Sequence, residues 1–236
     1  MKVNEIFGPT IQGEGKSLGM RTMFLRLSGC NLACSWCDTE YSWNWQKYDP
    51  QKEIKLWTCS DIISELNKHS EINKLVISGG EPMRQQAELV ELIKLLKQDA
   101  YWVEIETNGT IEPTDEFLEL IDQINCSPKT ANSGNSVEAR EKPAALKKYV
   151  QSDKTNFKFV VCGENDLPEI EDFIARYKIT RDRVYLMPQA RNRTEYYSLD
   201  GTKVSRDTRV QVMAHNAGFH FSSRLHILYW GGKRGF

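Results

Sequence analysis

No stretch of this 236-residue chain approaches the length needed to cross a bilayer, so nothing in it reads as a membrane-spanning helix. The opening, Met1-Lys2-Val3-Asn4-Glu5, lacks the apolar core of a secretory signal. Charge of one sign is missing too: 31 Lys and Arg against 32 Asp and Glu leave a formal net charge of −1. That balance gives no general drive toward nucleic acid or an anionic membrane. There is no internal repeat and no low-complexity tract. Cysteine is sparse, and Cys59, Cys126 and Cys162 stand singly beside apolar or strand-like sequence, as buried free thiols do. A cytoplasmic chain with one substantial core is expected. It should form a single domain over 1–236 with insertions near 130–141 and 190–203.

The remaining cysteines share one short stretch, Cys30-Asn31-Leu32-Ala33-Cys34-Ser35-Trp36-Cys37-Asp38-Thr39, entered from the apolar run Met23-Phe24-Leu25-Arg26-Leu27. Thiols this close can all reach one soft metal centre. With no fourth cysteine nearby, they would leave one iron of a four-iron cube open to a substrate or cosubstrate. Zinc held by the same thiols with Asp38 or His69 is the main alternative. Structural zinc sites usually pair two ligand hairpins, however, and no second Cys/His hairpin follows. A disulfide reading is weaker, because three clustered thiols leave an odd one over. The spacing favours an iron–sulfur cluster.

Along the chain, strand-like and helix-like segments alternate. Met20–Ser28, Lys74–Ser78, Tyr101–Glu106, Gln123–Cys126, Asn156–Val161 and Arg183–Met187 read as strands, with a further one over Phe219–Tyr229. Helices are expected after Thr58, over Arg84–Lys97, Phe117–Ile121, Pro143–Val150, Leu167–Tyr177 and Arg209–His215. The opening Phe7-Gly8-Pro9-Thr10-Ile11-Gln12-Gly13-Glu14-Gly15 is rich in turn formers, suited either to close backbone approach to a ligand or to a plain surface hairpin. This alternation predicts βα units on a parallel sheet of about six core strands, an α/β open or partial barrel rather than a closed one. Parallel strands would bring the cysteine loop, Gly79-Gly80-Glu81-Pro82, Glu106-Thr107-Asn108-Gly109, Ser127-Pro128-Lys129 and Met187-Pro188-Gln189 to one edge. Ligands bind at that edge.

These motifs, in this order, resemble the radical S-adenosylmethionine superfamily and, more narrowly, the 7-carboxy-7-deazaguanine synthase family. The stretches that carry the likeness include Gln12-Gly13-Glu14-Gly15, Arg26-Leu27-Ser28-Gly29-Cys30, Cys37-Asp38-Thr39, Ser78-Gly79-Gly80-Glu81-Pro82 and Ser127-Pro128-Lys129, with the tail Trp230-Gly231-Gly232-Lys233-Arg234-Gly235. The resemblance implies that Cys30, Cys34 and Cys37 hold a 4Fe–4S cluster whose free iron takes S-adenosylmethionine. Trp36, Asp38, Gly79, Gly80, Glu81, Glu106, Ser127, Pro128 and Lys129 would surround that cofactor. Thr39 would ligate Mg²⁺ as a hard oxygen donor. Ile11, Gln12, Gly13, Arg26, Ser78 and Phe236 would contact substrate, Arg26 through its bidentate fork. The implied reaction contracts 6-carboxy-5,6,7,8-tetrahydropterin to 7-carboxy-7-deazaguanine with loss of ammonia. The likeness also implies a flavodoxin- or ferredoxin-type electron donor and a homodimer. Two other classes compete: a glycyl-radical activase and a zinc-stabilised module without activity.

Overall fold

A computed structural model describes residues 1–236. Nine strands form one sheet: β1 (Lys2–Ile11), β2 (Arg21–Leu27), β3 (Lys55–Leu56), β4 (Lys74–Gly79), β5 (Trp102–Thr107), β6 (Gln123–Cys126), β7 (Thr155–Val161), β8 (Val184–Pro188) and β9 (His220–Phe221). Their order is β3-β1-β2-β4-β5-β6-β7-β8-β9, and every pair from β2 to β9 is parallel. The two ends do not pair with each other, so the barrel is open, and its parallel core has the six strands expected plus the short β9. β1 and β3 extend one edge in antiparallel register.

Side chains alternate along the parallel strands, and the alternation sorts core from site. On β2, Met23, Leu25 and Leu27 face the helices, whereas Phe24 and Arg26 face the hollow of the sheet. On β5, Val103 and Ile105 face out and Glu106 in; on β7, Phe157, Phe159 and Val161 face out and Lys158 and Val160 in. The outer faces pack on the amphipathic helices Cys59–Leu66, Gln86–Gln98, Pro143–Gln151, Leu167–Tyr177 and Arg206–Ala217. Leu89, Leu92, Ile93 and Leu96 on the second of these, and Ile170 and Phe173 on the fourth, join one continuous apolar core. Thr58 caps the first helix through a reciprocal bond with Asp61, as its hydroxyl at that position suggests.

Two elements differ from their sequence reading. The opening segment is a ten-residue strand, because Gly8 and Pro9 fall at a bulge between Phe7 and Thr10 that interrupts the register without ending the pairing. Phe219–Tyr229 is not one strand: pairing stops after His220–Phe221, and Leu225–Trp230 is a helix ended by Gly231 in the left-handed conformation. Ile227 of that helix packs with Ala190 and Tyr196 in a small apolar cluster apart from the main core. The segments 130–141 and 190–203 each contain a short helix, Val137–Arg140 and Arg193–Tyr196.

The loop between β1 and β2 turns inward. Gln12 and Ser17 reach Glu104 on β5, Gly15 lies against Asn125 on β6, and Glu14 meets Lys158 on β7. Leu225 N–H donates to the Gly13 carbonyl at 3.0 Å, so the C-terminal helix closes over the same loop. At the floor lies a fully buried Glu104, paired with Lys74 at 2.8 Å and hydrogen-bonded by Gln12 and Asn125. Removing one partner of a buried pair strands the other charge. Lys74→Met is therefore expected to lower unfolding free energy by about 3–5 kcal/mol in urea denaturation, with Lys74→Met/Glu104→Gln recovering most of that loss.

Candidate active site

The exits of the parallel strands surround one cavity of about 230 Å³. Of the site residues named from sequence, all but Glu81 and Pro128 line it. The three loops that carry the motifs are laced to one another. Gly80 N–H donates to the Leu27 carbonyl (3.1 Å) and Glu81 N–H to the Gly29 carbonyl (2.9 Å). A Cβ on Gly80 would lie 2.4 Å from the Gly29 oxygen, so this approach requires glycine. Asn31, inside the cysteine loop, bonds Asn108 (3.1 Å) and Thr110 (2.8 Å) at the exit of β5.

Glu81 has a structural place instead of a cavity-facing one. Its buried carboxylate accepts from Met83 N–H (3.0 Å), Thr107 Oγ1 (2.8 Å) and Asn108 N–H (2.6 Å), joining the exits of β4 and β5. Burial pushes its titration upward against those three donors. Lys129 donates to the carbonyl and hydroxyl of Ser127 (both 2.8 Å) and lies over the Trp36 ring at 5.8 Å, so these named cofactor-site residues do converge.

The cysteine loop presents three free thiols, each sulfur accepting one N–H: Cys30 from Leu32 N (3.4 Å), Cys34 from Asn135 Nδ2 (3.3 Å) and Cys37 from Trp43 Nε1 (3.2 Å). Burial pushes the Cys30 thiol up to about 12 and raises Cys37 as well. Held as thiols they are neutral; a bound cationic centre would supply the charge that keeps them as thiolates. Reduced soft donors with N–H groups aimed at each sulfur fit an iron–sulfur cluster.

Beside them lies a chain of charges that no single motif announced. Lys158 Nζ bridges Glu14 (2.6 Å) and Glu106 (2.8 Å), and Arg224 reaches both Glu14 (3.0 Å) and Asp38. Burial opposes ionisation of Glu14, but Lys158, Arg224 and His226 outweigh it and hold that carboxyl well below the usual range. Burial raises Glu106 to about 6, reinforced by Glu104 and Glu14 and opposed by Lys158. Ligand atoms of Glu14, Asp38 and His226 lie within 4.8 Å of one another. Lys158 interrupts an apolar run and Arg224 precedes another; an inward charge on an otherwise apolar strand was the available signal for the first.

Arg26 differs from the other guanidinium groups at the cavity. Its Nε donates to Glu5 Oε1 (2.7 Å), an oxygen also bonded by the Tyr41 hydroxyl (3.0 Å), and its terminal nitrogens take no protein partner. Arg224 is committed to Glu14 and Asp38, Arg191 to Glu195, and Arg234 to Glu53. The tail closes the rim: Arg234 lies 3.4 Å over the Tyr41 ring, and Phe236 stacks on Trp230 with centroids 5.8 Å apart.

Residues 11–127 match the family model described as a 4Fe-4S single cluster domain. In fold, the chain is similar to QueE from Escherichia coli, with TM-score 0.68, 24% identity, and 94% of this chain and 92% of the other covered. It is also similar in fold to Streptococcus suis SuiB bound to S-adenosylmethionine, with TM-score 0.55 and 17% identity over 86% of this chain and 53% of the other. The three-cysteine loop and the family-model match define a protein of the 4Fe-4S single-cluster class, and the solved structures share its partial-barrel fold, as the motifs implied. A 7-carboxy-7-deazaguanine synthase of Pyrobaculum aerophilum is 36% identical over 235 residues, covering 100% of this chain and 97% of the relative. One from Bacillus subtilis is 31% identical, covering 99% and 97%. The chain belongs to the 7-carboxy-7-deazaguanine synthase family. The zinc-stabilised module and the glycyl-radical activase are not favoured by these relatives. No helix is long and apolar enough to cross a membrane.

Glu81→Ala leaves buried donors on Met83, Thr107 and Asn108 without a partner. It should lower stability by about 2 kcal/mol or more in chemical denaturation, with iron retention falling alongside.

Proposed function

We propose that the chain contracts 6-carboxy-5,6,7,8-tetrahydropterin to 7-carboxy-7-deazaguanine with loss of ammonia, serving queuosine and 7-deazapurine synthesis. The observation that carries this reading is Arg26: a cavity guanidinium held by Glu5 through Nε, with its terminal fork free, lining the same cavity as three clustered thiols. Such a fork suits a small carboxylate. Gln12 supports it from the adjoining loop, its orientation fixed by donation to Glu104 (2.8 Å) and Glu106 (3.2 Å).

In this reading Cys30, Cys34 and Cys37 hold the 4Fe–4S cluster. Trp36, Asp38, Gly79, Gly80, Glu106, Ser127 and Lys129 surround S-adenosylmethionine, with Glu81 and Pro128 shaping those loops from behind. When bound, cluster and cofactor supply the one-electron chemistry by which a hydrogen is removed from the substrate. Ile11, Gln12, Gly13, Ser78 and Phe236 enclose the planar ring while Arg26 orients its carboxylate. Glu106, as a carboxylate, keeps Lys158 charged and Gln12 and Asn125 aligned. Thr39, whose hydroxyl lies 3.6 Å from Cys37 Sγ, offers Mg²⁺ a hard oxygen beside Asp38. The reading includes a single domain over 1–236, a cytoplasmic homodimer and a flavodoxin- or ferredoxin-type donor.

Anaerobic turnover of the reconstituted enzyme with the carboxytetrahydropterin should yield the deazaguanine acid. Arg26→Lys keeps the charge and loses the fork, and should raise KM for the pterin by about tenfold or more; an unchanged KM would remove the substrate assignment. Thr39→Ala should abolish Mg²⁺ stimulation while iron content stays at the unmutated level. Because Glu106 titrates near 6 and acts ionised, kcat/KM should fall as pH drops through about 6, and Glu106→Gln should flatten that limb.

A further inference from the structure

The segment 130–141 forms a second wall of the cysteine loop. Ser35 N–H donates to the Ser133 carbonyl (3.0 Å) and Trp36 Nε1 to the Asn132 carbonyl (2.9 Å). Asn132 is itself held by the Val160 carbonyl and Asp166, each at 2.9 Å. Further along, Asn135 Oδ1 accepts from Ala33 N–H (3.0 Å), while its Nδ2 lies 3.3 Å from Cys34 Sγ and 3.2 Å from Ser133 Oγ.

The orientation of this carboxamide follows from its partners. A backbone N–H can only donate, so the oxygen must face Ala33 and the amino group must face Cys34. The Ser133 hydroxyl gives its proton to the Thr130 carbonyl (2.8 Å), leaving a lone pair for the second amide hydrogen. An N–H is thus aimed at the sulfur. Cys30 and Cys37 take their donors from Leu32 and Trp43, within the same stretch of chain, whereas the donor to Cys34 comes from 101 residues away.

We infer that Asn135 is a positioning residue that sets the electronic state of the cluster: its amide holds the Ala33–Cys34 backbone in place and raises the cluster's reduction potential through an N–H···S bond. This rests on Cys30, Cys34 and Cys37 being the cluster ligands. A hydrogen bond to a ligating sulfur draws off negative charge and favours the reduced, more negative state. The docking of 130–141 therefore couples tertiary structure to how easily the centre accepts an electron.

The test uses the full chain, anaerobically reconstituted, as wild type, Asn135→Asp and Asn135→Leu. Asn135→Asp keeps the acceptor for Ala33 N–H and loses the donor; Asn135→Leu loses both. Redox titration followed by electron paramagnetic resonance should show a midpoint shifted to more negative potential in both, with wild-type iron content in Asn135→Asp. Wild-type protein carrying ¹⁵N-asparagine should show a ¹⁵N coupling to the reduced cluster in pulsed resonance, a readout independent of how the variants fold. A loaded wild type without that coupling, or variants that lose iron at an unshifted potential, would overturn the tuning role while leaving the ligand assignment intact. A wild type that assembles no four-iron cluster would instead overturn the ligand assignment beneath it.

Discussion

Lys158 lies between two carboxylates, and the mouth of the barrel depends on it. Its ammonium, almost wholly buried on β7, meets Glu14 at 2.6 Å and Glu106 at 2.8 Å. Without that cation, two acids would be confined together in a medium that solvates charge poorly, and at least one would hold its proton. With it, the loop after β1 is drawn across the hollow of the sheet and fixed against β5 and β7. Arg224 continues the arrangement from Glu14 to Asp38, which joins the C-terminal segment to the cysteine loop. The ions that shape the site also close the open side of the barrel.

This arrangement divides the sheet into two faces with different work. Outward residues such as Leu25, Ile77, Ile105 and Phe159 are fully buried against helices and supply the apolar burial that stabilises the domain. Inward residues such as Arg26, Glu104, Asn125 and Lys158 are polar and find hydrogen-bond partners: Arg26 on Glu5, Asn125 on Glu104, and Lys158 on Glu106. A buried polar face is tolerable only when its groups are partnered. Arg26 is the telling departure: its Nε is matched to Glu5 and its fork is left open toward the cavity, where a ligand's charge can complete it.

Much of this was legible from the chain. Leu167–Tyr177 forms a helix with the bounds expected of it; Pro168 stands in its first turn, and Ile170, Phe173 and Ile174 repeat at helical spacing. The strand exits carrying Gly79-Gly80, Glu106-Thr107 and Ser127-Lys129 were placed at one edge because parallel topology leaves no other choice. The errors have equally local causes. Gly8 and Pro9 suggested a turn where the pairing of β1 with β2 absorbs them as a bulge. Phe219–Tyr229 offered an apolar run whose period is ambiguous over so few residues, and β9 ends after two residues. Glu81 has partners that its motif alone does not reveal: its carboxylate ties the exits of β4 and β5 together.

What the sequence by itself determined was the chemistry that is local: three cysteines spaced to share one soft centre, glycines where backbones must cross, and the order of loops along parallel strands. Spacing within one loop survives any detail of packing. What only the tertiary structure decided was the set of partners drawn from far apart. Glu14 meets Lys158 across 144 residues and Arg224 across 210, and Asn135 reaches Cys34 across 101. Such pairs leave no periodic trace, because a charge or an amide gains its meaning from whatever the fold sets opposite it.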